Sequence, residues 1–143
     1  MAASGDSPTV DLANLATVML TRIPETGAWF DSFVEPGVPR DFGWDDVDFD
    51  AYQFVMEVFT DPVFIPAVRQ APGAPELLDR CASLVEAMVT SSSDLVRDVV
   101  WFDVLEPLLA DVRLIRDFRP VAGPETSREL AKLIQAHGVT GID

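Results

Sequence analysis

The chain has 143 residues, 48% of them hydrophobic, a formal net charge of −14 and one cysteine. That hydrophobic share excludes disorder for the body of the chain, and the lone Cys81 excludes an intrachain disulfide framework. The charge opposes binding to nucleic-acid phosphates or anionic lipid, and the length predicts one domain, residues 1–143, with a sizeable core.

Residues 1–6 read as a frayed tail without the basic start or apolar stretch of a secretory signal. No apolar run approaches the roughly 20 residues that cross a bilayer, so the cytoplasm is the expected compartment. Ser7 and Pro8 form a cap-plus-proline helix start, followed by Leu12, Leu15, Ala16, Met19, Leu20 and Ile23 at helical spacing. Pro24 ends that helix and opens a second, Glu25–Phe33. Two prolines and two glycines forbid regular structure over residues 34–48, which read as a long loop rich in acids and aromatics.

Asp48 is the expected cap of a helix over 49–59. Asp61 and Pro62 repeat the cap-plus-proline pattern and predict a break, then a short helix to Gln70 that Pro66 distorts. A clear break at 71–75 precedes an amphipathic helix from Pro75 to Thr90, with Cys81 on its apolar face as a small buried hydrophobe. Ser91, Ser92 and Ser93 supply a turn and a cap. The most apolar run, Asp94–Leu109, predicts a central helix buried on most sides, kinked or ended by Pro107. A short element over Val112–Phe118 follows. Gly123 and Pro124 open the last helix, which Gly138 closes after His137; residues 139–143 are an expected tail. The reading is an all-α domain of six to eight short helices, as an irregular or stacked-pair bundle.

The charge is unevenly spread. Residues 1–61 hold twelve acids against Arg22 and Arg40, a net −10, and nine of the thirteen aromatics fall within residues 24–61. Phe30, Phe33, Tyr52, Val55 and Phe59 sit on helix faces that point inward. Phe42, Trp44 and Phe49 lie on or beside the proline-rich loop, either as clamps that hold it down or as anchors for a partner.

No catalytic pattern emerges. His137 fits a helix-dipole partner, and one cysteine with one histidine makes no zinc cluster. Asp46, Asp48, Asp50 and Glu57 match positions 1, 3, 5 and 12 of a calcium loop, but Ala51 replaces its obligatory glycine and the following residues read as helix. No cofactor and no metal are expected.

Val96-Arg97-Asp98-Val99-Val100, Val104-Leu105-Glu106-Pro107-Leu108, and Gly123-Pro124-Glu125 with Leu130 resemble a group of small helical bacterial proteins classed with immunity proteins. The likeness covers about a third of the chain and departs from a smooth helix at Asp103 and Pro107. It implies a non-enzymatic protein that neutralises a toxin, often by covering the basic surface of a nuclease. The expected function is therefore a protein-binding module for a basic protein partner such as a toxin domain. Asp41, Phe42, Trp44, Asp45, Asp46 and Asp48 are the expected contact residues. A structural or oligomeric scaffold using Leu77, Val85, Trp101 or Leu108 is the alternative. A small-molecule site near Trp101 and Asp103 is a third reading.

Overall fold

The computed structural model describes residues 9–142, and every regular element among them is helical. The α-helices are α1 (Leu15–Arg22), α2 (Gly27–Phe33), α3 (Ala51–Phe54), α4 (Ile65–Arg69), α5 (Pro75–Val89), α6 (Asp94–Val100), α7 (Val112–Phe118) and α8 (Pro124–His137). One of the joins, α3 to α4, is continuous, so the chain folds as seven helical rods. The all-α expectation holds.

The Ser7–Pro8 start lies outside the described residues. The described helix begins later, at Leu15, because Asp11 and Asn14 first close a turn on each other: the Asp11 amide donates to Asn14 Oδ1 and the Asn14 amide to Asp11 Oδ1. Such side-chain bonds compete with helical pairing. Asp50, not Asp48, caps the next helix. Its carboxylate accepts from the Gln53 amide at 2.8 Å, and Gln53 Oε1 accepts from the Asp50 amide at 3.4 Å, a reciprocal capping box.

The break expected at Asp61–Pro62 is absent. A π-helical segment, Val55–Phe64, joins α3 to α4 without interruption, and the Ile65 amide donates five residues back to the Thr60 carbonyl. Proline lacks the amide for an i→i−4 bond and its ring collides with that carbonyl; the wider π turn relieves both constraints. The same device recurs at Pro107. α6 runs into a π segment, Trp101–Leu105, whose exit carries a Glu106 amide bonded to the Trp101 carbonyl, and then a 3-10 turn, Glu106–Ala110. The two π segments pack against each other.

α5 is the central rod and packs on α1, α4, α6 and α8. Its apolar face, including Cys81, Leu84, Val85 and Met88, is fully buried, and burial pushes the Cys81 thiol up to about 12. Phe59 stacks on Phe64, and Phe64 meets Phe118 edge to face, tying α7 to the π rod at centroid separations of 5.4 and 5.2 Å. Arg80 on α5 grips Glu25 through two 2.8 Å bonds, which hold the Glu25 carboxyl down to about 2. That pair is half exposed, so it orients the α1–α2 corner more than it stabilises it.

The N-terminus of α8 is capped from a distance. Glu86 on α5 accepts from the Glu125 and Thr126 amides and from Thr126 Oγ1, at 3.1, 2.9 and 2.7 Å. The cap requires Gly123, since a side chain there would overlap the Glu86 carboxylate. Gly138 closes α8 in the left-handed conformation at φ 64°, as expected. The chain beyond it is not a loose tail: Ile142 is buried against the core.

The Asp94–Leu109 run is buried on one side only. Val96, Val99, Val100, Val104, Leu105 and Leu108 face the core, whereas Leu95 and Phe102 stand in solvent. Val85 and Leu108 are fully buried and Leu77 and Trp101 are half-buried, so the residues named for an apolar oligomer face do not form one. Among the described residues, no helix is long and apolar enough to cross a membrane.

Candidate acidic docking site

The loop after α2 is irregular but firmly seated. Val34 leaves the helix extended, and Glu35-Pro36-Gly37-Val38 forms a tight turn with the Val38 amide on the Glu35 carbonyl at 3.2 Å. Pro36 sets the first corner residue, and Gly37 supplies the positive φ of 92° that the second requires. A 3-10 turn, Trp44–Asp46, then leads towards α3.

Aromatic packing holds this path. Phe54, fully buried on α3, is ringed by Phe30, Phe33, Phe42, Trp44 and Phe49 at centroid separations of 5.7 to 6.3 Å, mostly edge to face. Trp44 also lies edge-on to Phe42 at 4.8 Å and donates its indole N–H to the Leu12 carbonyl at 2.7 Å. Phe42 is only 7% exposed. Of the two roles open to them, the buried Phe42 and the half-buried Trp44 have the geometry of clamps. The physical reason is the five-ring nest around Phe54, which no spacing rule anticipates.

The expected carboxylates face outward. Asp41, Asp45, Asp46 and Asp48 are all exposed, and among the described residues none forms an ion pair. Arg40, the one cation between residues 24 and 61, is engaged elsewhere. It lies over the Phe30 ring at 5.8 Å, reaches Asp31 at 3.6 Å, and crosses α2 at the buried Gly27, where a side chain would crowd it. The Asp46 carboxylate folds back over Gly43. Shallow grooves of about 310 and 480 Å³ flank Val38 and Val47, with Asp46 bordering both. The loop thus presents a fixed, negatively charged surface with half-buried valines between the acids.

A second concentration of acid lies where the π segments meet. Asp103 is 8% exposed, and its Oδ2 is enclosed without a hydrogen-bond partner. Burial, then the charges of Asp50 and Asp61, raise its carboxyl to about 6. Nearby, burial followed by Asp98, Asp103 and Asp50 raises the Tyr52 hydroxyl above its ordinary value. The buried, unpartnered state of Asp103 has no sequence signal beyond an acid inside an apolar run. Trp101 borders a groove of about 390 Å³ that Asp98 and Phe102 line, while Asp103 does not.

Among the described residues, no group of three or more His, Cys, Asp or Glu side chains is arranged to hold a metal ion. Asp50 is spent on its capping box, and the helix carries Glu57 away from it. His137 stands 3.9 Å from Glu106 at the C-terminal end of α8. The chain matches no known protein-family model, no curated protein and no solved structure.

Proposed function

We propose that the protein is a binding module whose acidic loop engages a basic protein partner, in the manner of an immunity protein that covers a toxin. The observation that carries this reading is the fixed row of unpaired carboxylates at Asp41, Asp45, Asp46 and Asp48. Four exposed like charges on a seated loop repel one another, and an opposing basic surface relieves that repulsion while steering association. The buried Phe42 and the half-buried Trp44 support the reading in a changed role: they pre-order the loop, which lowers the entropy lost on docking.

Affinity capture from the native host tests it, comparing the wild-type chain with the triple variant Asp45→Lys, Asp46→Lys, Asp48→Lys. A basic protein retained by the wild type and lost by the variant is the expected result. The same proteins retained by both chains would remove the loop as the docking site.

A further inference from the structure

Two exposed apolar side chains lie on one face of the α6 rod. Leu95 is 37% and Phe102 is 50% exposed, seven residues apart, with the exposed Asp98 between them at helical spacing. Beside Phe102 a groove of about 390 Å³ opens over Val89, Trp101 and Leu105. Arg97, at the edge of that groove, is already tied to Asp94 and to the Ser91 carbonyl, and Glu129 on the opposite wall is paired with Lys132.

The other side of Asp98 is uncompensated negative charge. Asp98, Asp50 and Asp61 form no ion pair among the described residues. Asp98, Asp103 and Asp50 all act on the Tyr52 hydroxyl, and Asp103 itself, more than nine-tenths buried with its Oδ2 unpartnered, lies under the influence of Asp50 and Asp61. Native interiors rarely leave a buried carboxylate oxygen without a donor. Asp98 thus belongs both to the lining of an apolar groove and to a set of unmatched acids drawn from neighbouring helices.

We propose that this face, from Leu95 to Phe102, docks a segment of a basic protein that presents an arginine beside an apolar side chain. The apolar side chain fills the groove next to Phe102, and the guanidinium lies over Asp98 above the Asp50, Asp61 and Asp103 cluster. Arginine suits the position better than lysine, because its planar, weakly hydrated head stacks on an aromatic ring while bonding to carboxylates. The inference rests on the reading of the partner as a basic protein and adds a second docking face to the loop.

The test is an NMR titration of the labelled full chain at pH 6 with a blocked peptide of alternating arginine and leucine. Saturable shifts at Asp61, Asp98 and Phe102, with release of a proton on binding, are expected. The double variant Asp98→Lys, Phe102→Ala, altered only at exposed positions, should weaken that binding about tenfold or more. Unchanged α5 and α8 resonances establish that it remains folded. Shifts confined to residues 41–48 would overturn this proposal and leave the loop reading standing. Absence of saturable shifts at both surfaces would overturn both.

Discussion

Replacing Asp103 with asparagine removes a charge from a place that disfavours it, and the effect must depend on pH. In the folded chain the carboxyl is raised to about 6, against 3.8 for an ordinary aspartate. Below about pH 3.8 the group is protonated whether the chain is folded or not, and its charge has no influence on stability. Between 3.8 and 6 the unfolded chain ionises first, so stability falls as pH rises. Above 6 both states are ionised and the full penalty remains. A difference of that size corresponds to about 3 kcal/mol at about 1.4 kcal/mol per tenfold change in proton affinity. Asp103 retains 8% exposure, through which water screens part of the charge, so a gain of about 1–3 kcal/mol is expected for Asp103→Asn at pH 7.5. Urea unfolding from pH 3.5 to pH 8 measures it: the two curves should converge at the acid end and separate progressively between about pH 4 and pH 6. Asp45→Asn, which changes net charge equally at an exposed site, should differ from wild type by less than about 0.5 kcal/mol throughout. A pH-independent difference for Asp103→Asn, or an equal effect from Asp45→Asn, would refute the buried-charge argument.

Glu86→Ala removes the distant cap of α8 and should cost about 1–3 kcal/mol by chemical denaturation. Gly123→Ala acts on the same carboxylate, so the double variant should cost clearly less than the sum of the two. Cys81 should resist a thiol reagent at pH 8 in the folded chain and react fully in guanidinium, because its buried thiol is pushed up to about 12. Trp44→Phe keeps an aromatic ring but loses the bond to the Leu12 carbonyl, at a cost of about 1 kcal/mol. Hydrogen exchange should accelerate over residues 41–48 while α8 is unaffected.

The sequence is legible where the cause of a structural feature is local. The Pro75 start, the Ser93 cap, the α7 segment and the Gly138 stop each depend on a few neighbouring residues, and each appears where expected. Tertiary packing overrides the local signal elsewhere. Pro62 reads as a break, but its rod continues by widening into a π turn, a choice made by the core it packs into, whereas the rod before Pro107 does end, through a π segment and a 3-10 turn that stops at Ala110. Asp48 and Asp50 both fit a cap; only Asp50 has Gln53 at the reciprocal position. The acids of the loop were legible as exposed, whereas the inward turn of Phe42 and Trp44 depends on Phe54 and Leu12, brought together only by the fold. The cap of Glu86 on Thr126, forty residues apart, has no sequence signature.

The central claim is that the loop carboxylates dock a basic protein. Its most direct test is the affinity of the captured partner for the wild-type chain and for the Asp45→Lys, Asp46→Lys, Asp48→Lys chain, measured side by side with their thermal stabilities. Binding should be about tenfold or more weaker for the variant, and the wild-type affinity should fall more steeply with salt, at nearly equal Tm. Equal affinities at equal Tm would contradict it.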